Sequence, residues 1–172
     1  MNKKQIQLLR FLEQSGPRLH GLLRRLTLDE TAAEELMQEL FIRLFEIKRL
    51  DKIENLHAYA CRIAINLAFD RRRQRPFLQI PESRPDRRIP NVAHRLMQNE
   101  EITRILNAAQ ALNGLTRECF VLRYVEQMEY GEIAERTRKN QKQVRALCSK
   151  SIQRIRQILN EQRTAYKEAI NE

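Results

Sequence analysis

The chain has 172 residues, of which 42% are hydrophobic and 31% are charged, with only four glycines and five prolines. This composition is typical of a helix-rich globular protein with one ordinary domain or two small ones, and it excludes a disordered chain. The net charge of +10 favours a polyanionic partner, because Lys and Arg release counterions when they neutralise phosphates.

The first half of the chain contains predicted helices with apolar residues at helical spacing. The first pattern runs from Lys4 to about Leu26, and Gly16-Pro17 predicts a break into two helices, because proline starts a helix more easily than it continues one. A second helix begins after Asp29, a good N-cap residue. Its predicted core face consists of Ala33, Leu36, Met37, Leu40, Leu44 and Phe45.

A third helix is predicted from Leu56 to about Arg73, after a polar connection from Asp51 to Asn55. Asn55 is suited to cap this helix. The predicted inward stripe is Leu56, Tyr59, Ala60, Ile63, Ala64 and Leu67, whereas Arg62, Asn66 and Asp70 share another face at four-residue spacing.

Helical periodicity then fails between Gln74 and Pro90, a segment with four prolines. Residues 71–95 also carry eight Arg against two acidic residues, a net charge of +6. We therefore predict a flexible basic linker at residues 76–90 between a domain at 1–75 and a domain at 91–172. The alternative is a basic surface loop within a single domain.

The second half has a helical pattern from about Asn91 to Leu112 and a shorter helix that Thr116 is predicted to cap and that ends near Tyr124. Glu129 to Thr137 forms the next predicted helix, and after a tight break Asn140 caps the last one. Residues 138–156 contain seven Lys or Arg and no acidic residue, alongside an apolar stripe. This arrangement is typical of a helix-turn-helix that meets duplex DNA.

Motifs for catalysis and metal binding are absent from the sequence. It has no glycine-rich phosphate loop, no nucleophile elbow and no zinc-protease motif, and its three histidines are scattered. The cysteines Cys61, Cys119 and Cys148 lie far apart, so we expect buried, reduced thiols. We predict a non-enzymatic protein with no cofactor, no metal and no catalytic residue. No stretch resembles a signal peptide or a membrane span, which predicts a cytoplasmic protein without membrane insertion.

Two segments in order resemble a known family. Residues 32–45 (AAEELMQELFIRLF) with residues 58–73 (AYACRIAINLAFDRRR) resemble region 2 of bacterial sigma factors, and residues 112–156 resemble region 4. The direct passage between them points to the extracytoplasmic-function (ECF) group. The resemblance implies an all-α fold: a region 2 helical bundle and a region 4 helix-turn-helix, joined by a flexible linker.

The implied function is that of an alternative sigma factor, which binds core RNA polymerase, directs it to specific promoters and assists promoter melting. The implied partners are core RNA polymerase, through its clamp helices and flap, and promoter DNA as duplex and melted strand. An anti-sigma factor is a further partner that the resemblance allows. Residues 28–54 carry eight acidic residues against four basic ones, so this part of the chain should not face DNA. By resemblance, Glu35, Gln38 and Glu39 dock on the clamp helices.

The resemblance also assigns two sets of DNA-binding residues. The minus-ten set, for the melted strand, is Asn55, Tyr59, Arg62, Asn66, Arg71 and Arg73. Tyr59 stands where the family usually has tryptophan and also falls on the apolar stripe, so a core role stays open for it. Ile65 replaces a frequent arginine.

The minus-thirty-five set, for the duplex, is Gln141, Lys142, Gln143, Arg145, Ser149 and Lys150. Arg145 suits a guanine edge and Gln143 suits adenine, whereas the lysines suit phosphates. Arg138 stands where glycine is common, so the turn is either slightly strained or moved. Glu129 replaces the usual serine cap.

Two other functions remain open from the sequence. A stand-alone helix-turn-helix repressor or activator would account for residues 129–156, but it leaves the acidic helix and the face of Arg62 and Asn66 without a role. An adaptor or anti-sigma-like protein would use the acidic helix alone, and the basic last helix disfavours it.

Overall fold

The computed structural model describes residues 3–74 and 90–170, and the chain is all-α in these ranges, as predicted. The first half contains α1 (Lys3–Thr27), α2 (Glu30–Glu46), a 3-10 turn (Leu50–Lys52) and α3 (Leu56–Gln74). The second half contains α4 (Pro90–Ala109), α5 (Gly114–Phe120), a π turn (Val121–Val125), α6 (Tyr130–Thr137) and α7 (Gln141–Ile170). The predicted linker lies outside the described residues except for Pro90, which begins α4.

Three of the predicted helix caps are confirmed. The side-chain oxygen of Asp29 accepts a hydrogen bond from the Ala32 amide at 3.1 Å, and Asn55 accepts one from Ala58 at 2.9 Å. Asn140 accepts one from the Gln143 amide at 2.8 Å. Each bond satisfies one of the amides that the first turn of a helix leaves without a backbone partner.

The predicted break at Gly16-Pro17 is wrong, because α1 runs through Pro17 without interruption. Gly16 has no Cβ to clash with the proline ring, so the usual restriction on the residue before proline is relaxed. Leu8 on one side of Pro17 and Leu19 and Leu22 on the other are fully buried in the same core. Their packing offsets the backbone hydrogen bond that the proline cannot donate.

The other corrections concern the core faces and one cap. Phe45 and Tyr59 were predicted to face inward, but both are exposed, since each lies at the edge of an apolar stripe. Asn113, rather than Thr116, caps α5 and accepts a hydrogen bond from the Thr116 amide at 2.9 Å. The segment after α5 widens into a π turn, which ends with a bond from the Glu126 amide to the Val121 carbonyl.

Both halves of the chain contribute to the main hydrophobic core. Helices α1, α2 and α3 supply most of it, and buried residues of the second half join them: Leu106, Ala108, Ala109, Leu112, Phe120, Val121 and Ile155. A smaller core holds α5, α6 and α7 together through Cys119, Leu122, Ile133, Ala134, Val144 and Cys148. The three cysteines are buried and free, as expected. The smaller core therefore packs α6 against α7.

The turn between α6 and α7 keeps its left-handed residue although glycine is missing. Arg138 adopts φ 54° and ψ 40°, and its backbone amide caps the end of α6. The Lys139 amide bonds to the Ala134 carbonyl at 3.0 Å. A Cβ in this conformation is crowded by the following carbonyl, so the turn holds some strain.

We expect Arg138→Gly to be more stable than Arg138→Ala by about 0.5–1 kcal/mol, because glycine removes the Cβ crowding at a positive φ. Both substitutions remove the ion pair between Arg138 and Glu54, so the comparison isolates the backbone effect. Urea denaturation followed by circular dichroism measures the difference. Equal stability of the two variants would show that the turn is unstrained.

Candidate nucleic-acid and polymerase interfaces

The first turns of α7 present the basic surface that the sequence predicts. All six residues of the minus-thirty-five set are exposed, whereas Val144 and Cys148 on the opposite side are buried against α5 and α6. Gly131 lets α6 approach this surface closely, since a Cβ at that position would lie 3.2 Å from the Gln141 Nε2 atom. The basic side of α7 thus faces solvent, and its apolar side packs against α5 and α6.

Two residues of this set already have partners within the protein. The Arg145 guanidinium lies over the Tyr130 ring at 5.1 Å, where Arg123 stacks at 4.4 Å. Gln143 accepts a hydrogen bond from the Asn140 amide through Oε1 at 3.1 Å, which completes a reciprocal cap. Reading adenine with both amide atoms would therefore require Gln143 to give up this cap.

The predicted polymerase-docking residues lie on one exposed side of α2. Gln38 is exposed, Glu39 pairs with Arg43 at 2.7 Å, and Glu35 pairs with Arg71 of α3. Sequence reasoning missed Ile42, which is 54% exposed on the same side of the helix. Its spacing of three and four residues from Glu39 and Gln38 was the available signal. The surface therefore combines carboxylates with an apolar residue.

Asn55 precedes α3, and the other residues of the minus-ten set lie within this helix. They do not form one cluster, because their side chains have different partners. Tyr59 is 37% exposed, so it does not belong to the core. Arg73 forms a loose pair with Asp70 at 3.5 Å, and Arg71 bonds Glu35. Ile65 is 1% exposed and fills the core, which explains why an arginine is not accommodated there.

Arg62 and Asn66 contact α5 of the second half. The Arg62 Nε atom donates to the Glu118 carboxylate at 2.9 Å, and Arg117 donates to the Asn66 side-chain oxygen at 3.3 Å. The Arg117 guanidinium also lies 4.9 Å from the centre of the Phe69 ring. Sequence reasoning missed Arg117 and Glu118, because partners 51 and 56 residues apart leave no local pattern.

Glu118 is the most deeply buried carboxylate at this contact, with only 6% of its side chain exposed. Burial raises the pKa of the Glu118 carboxyl above its usual value, and the Arg62 guanidinium opposes that rise. Arg117 is similarly placed, since burial lowers its pKa and the nearby charge of Arg73 adds to the effect. The contact thus depends on charges that are costly to leave unpaired.

Further contacts bring the two halves together at the edges of this interface. Arg72 donates to the Leu26 carbonyl at 2.8 Å and to the Asn107 side chain at 2.9 Å, and burial lowers the pKa of Arg72 to about 10. Arg25 pairs with Glu126 at 2.6 Å. We call this arrangement, in which α5 contacts Arg62 and Asn66, the closed form.

No helix of the described residues has the length and apolar character needed to cross a bilayer. Among the side chains that the structure describes, in residues 4–74 and 98–170, no three His, Cys, Asp or Glu are grouped so that they could hold a metal ion.

Two family models match the chain, in the order that the sequence suggests. Sigma-70 region 2 matches residues 11–76, and Sigma-70, region 4 matches residues 102–157. The first match contains α2 and α3, and the second contains α5, α6 and the start of α7.

Similar proteins include two sigma factors. The ferric citrate uptake sigma factor FecI of Escherichia coli is 25% identical over 125 residues, which cover 70% of this chain and 72% of that protein. The ECF RNA polymerase sigma factor SigK of Mycolicibacterium vanbaalenii is 24% identical over 156 residues, which cover 87% of this chain and 80% of that protein. A solved structure of the sigma factor RpoE in complex with the anti-sigma factor NepR from Bartonella quintana covers 90% of this chain and 97% of its own, with 16% identity and a TM-score of 0.46.

We expect Arg62→Ala to lower the free energy of unfolding by about 1–3 kcal/mol, because it leaves the buried Glu118 carboxylate without its charged partner. The double variant Arg62→Ala/Glu118→Gln should recover most of this loss, since the neutral amide costs less to bury than a charge. Urea denaturation of the single and double variants measures both the loss of stability and its recovery.

Arg73→Ala is the matched control for this experiment. It removes an arginine from the same helix, but its pair with Asp70 is exposed, so the change in stability should stay within about 0.5 kcal/mol. If the double variant is as unstable as Arg62→Ala, the buried charge of Glu118 is not the source of the cost.

Proposed function

Because this chain belongs to the sigma-70 family, in its extracytoplasmic-function group, we propose a division of labour among α2, α3 and α7. As an alternative sigma factor, the protein binds core RNA polymerase and directs it to promoter DNA for the initiation of transcription. The proposal concerns which surface carries each step.

The exposed side of α2 is the proposed docking surface for the clamp helices of core polymerase. Glu35, Gln38 and Glu39 supply polar groups there, and Ile42 supplies an apolar centre. Carboxylates speed the encounter with a basic partner and set its register, and the buried apolar contact adds affinity. The cation Arg43 beside Glu39 would exchange its partner on docking.

The basic surface of α7 is the proposed reader of the minus-thirty-five duplex. Arg145 is the residue that we assign to a guanine edge, and Lys142 and Lys150 suit phosphates. The observation that carries the whole proposal is that one chain exposes a basic recognition helix and a separate acidic and apolar surface on α2.

The minus-ten strand is assigned to α3, where Arg62 and Asn66 would contact backbone or base edges and Tyr59 would stack on an unpaired base. In the closed form, Arg62 and Asn66 are engaged by Glu118 and Arg117. A melted strand cannot use the same polar atoms while these bonds persist. We therefore propose that α5 moves away from α3 before promoter melting, when core polymerase binds.

Run-off transcription with purified core polymerase and a pool of genomic promoters tests the proposal. Initiation from a small set of promoters is the expected result. Duplex binding in the absence of core polymerase, without promoter-specific initiation, would instead indicate a stand-alone regulator.

We expect Glu39→Lys to weaken binding to core polymerase at least tenfold, because it reverses a charge on the proposed docking surface and places a cation beside Arg43. Fluorescence anisotropy of the labelled protein with core polymerase measures this. Glu13→Lys makes the same charge change at an exposed position of α1 and should bind normally. Equal weakening by both variants would mean that the net charge, rather than the α2 surface, governs docking.

We expect Arg145→Ala to relax the base preference at one position of the minus-thirty-five element by about 1–3 kcal/mol. Binding to duplexes that carry each base at that position measures the effect. Arg163→Ala removes the same charge from the exposed end of the same helix, outside the region 4 match, and should leave the preference unchanged. A uniform loss across all duplexes with Arg145→Ala would assign Arg145 to phosphate instead.

A further inference from the structure

A cavity of about 360 Å³ lies between the two halves of the chain in the closed form. Helices α1 and α3 line it with Arg18, Arg25 and His57, and the second half contributes Arg136 of α6. Its volume falls within the range of about 300–1,000 Å³ that is usual for small-molecule sites. The DNA-binding and polymerase-docking surfaces use none of these residues.

The charge of the cavity favours an anion. Three arginines line it against one carboxylate, Glu126, which pairs with Arg25. Within the described residues, Arg18 has no ion-pair partner, and Arg136 donates only to the weak acceptor Cys61 Sγ at 3.7 Å. Arg18 and Arg136 therefore face one cavity without a direct ion pair in the described residues, although Glu118 lies near enough to Arg136 to interact with its charge.

His57 also lines this side of the cavity, but its ring does not offer an accessible donor. Burial lowers its pKa, and the charges of Arg136 and Arg18 lower it further, so the ring is neutral at pH 7. Its Nδ1 atom lies 3.6 Å from the Cys61 thiol. If the thiol donates its hydrogen to Nδ1, the ring carries its own hydrogen on Nε2. That Nε2 atom is buried and has no hydrogen-bond partner in the described part of the chain.

Cys61 itself is not the reactive group of this cavity. Burial raises the pKa of the Cys61 thiol to about 11, although the neighbouring Arg136 opposes the rise. A thiol of this kind is protonated at pH 7 and is a poor nucleophile, since thiolate is the reactive form. The cavity is therefore suited to binding rather than to thiol redox chemistry.

We propose that this cavity binds a small organic phosphate. Two guanidiniums from different halves of the chain, Arg18 and Arg136, match the higher charge and the three terminal oxygens of a phosphate monoester better than the single charge and two oxygens of a carboxylate. The apolar residues of the lining provide a surface for the organic part of the ligand: Pro17, Leu22, Leu122 and Met128.

The site has a consequence that rests on the proposed function. Because both halves of the chain build it, the ligand binds the closed form and not a form in which α5 has left α3. A ligand at about ten times its Kd shifts the balance toward the closed form about tenfold. Binding would then hinder the release of Arg62 and Asn66 for the minus-ten strand.

Isothermal titration of the full chain with phenyl phosphate, at fixed ionic strength, tests the site. The wild type should bind phenyl phosphate more tightly than inorganic phosphate, and benzoate should bind at least tenfold more weakly. Arg18→Ala should weaken phenyl phosphate binding tenfold or more. Arg18 is exposed and unpaired among the described residues, so the variant should fold, and a thermal melt without ligand checks this.

Arg10→Ala is the matched control, because it removes an exposed arginine from the same helix outside the cavity. It should bind phenyl phosphate like the wild type. Equal affinities of the Arg18→Ala and Arg10→Ala variants, or no binding to the wild type, would overturn the proposed site. Benzoate binding as tight as phenyl phosphate would overturn the assignment to phosphates.

A transcription assay separates the site from its consequence. Phenyl phosphate should lower run-off transcription by the wild type severalfold and leave transcription by the Arg18→Ala variant unchanged. Ligand binding with no effect on wild-type transcription would overturn the link to the closed form. An absence of promoter-specific transcription before any ligand is added would instead be a failure of the proposed function.

Discussion

The arrangement of the two halves depends on a buried carboxylate. Glu118 is almost inaccessible to water, and its ion-pair partner, Arg62, is about half exposed. An ion pair of this kind gains Coulomb energy but loses the hydration of the Glu118 carboxylate, so its net contribution to stability is small. Removing Arg62 alone is costly, because it leaves an unpaired charge buried. Separating the two halves costs much less, because water then hydrates both charges. Such a contact can therefore hold the halves in one register and still release them.

The contacts around it lead to the same conclusion. The pair of Arg138 and Glu54 is largely exposed, and pairs of this kind contribute about 0–1 kcal/mol. Arg72 is more firmly held, because its guanidinium bonds a backbone carbonyl and a side chain at once. Apolar burial by residues such as Phe120 supplies the non-directional part of the association. The polar groups thus specify how the halves meet, and the apolar groups supply much of the attraction.

The sequence predicted well those features that depend on neighbouring residues. Asp29, Asn55 and Asn140 cap their helices, because the bond from such a side chain spans only three residues. The helix through Pro17 was missed, since the packing of leucines on both sides of the proline outweighs a local preference for a break. The exposure of Phe45 and Tyr59 was missed because the angular width of an apolar stripe depends on the helices packed against it.

The candidate site also has features that depend on neighbouring residues and features that depend on distant ones. The exposed cations of α7 could be predicted, because a helix that packs one side must present the other to solvent. The contact of Arg62 and Asn66 with α5 could not, because it arises when two segments more than 50 residues apart pack together. Because of that contact, Arg62 and Asn66 have a role within the protein in addition to their proposed role in binding DNA. The Arg62 Nε and Asn66 Oδ1 atoms are engaged in the closed form, so the proposed minus-ten contact competes with the closed form for these two atoms.

Contacts within the protein also compete with the recognition of bases by α7. The Oε1 atom of Gln143 accepts the second hydrogen bond of a reciprocal cap, and losing one such bond costs about 0.5–1.5 kcal/mol. A bidentate contact with adenine gives about 1–3 kcal/mol of discrimination, so the loss of this hydrogen bond would offset part of it. Arg145 has a smaller conflict, because its partner is the face of the Tyr130 ring and its outer donors stay free. Stacking also limits its rotamers before DNA arrives. The discrimination of bases by α7 should therefore rest on Arg145 more than on Gln143.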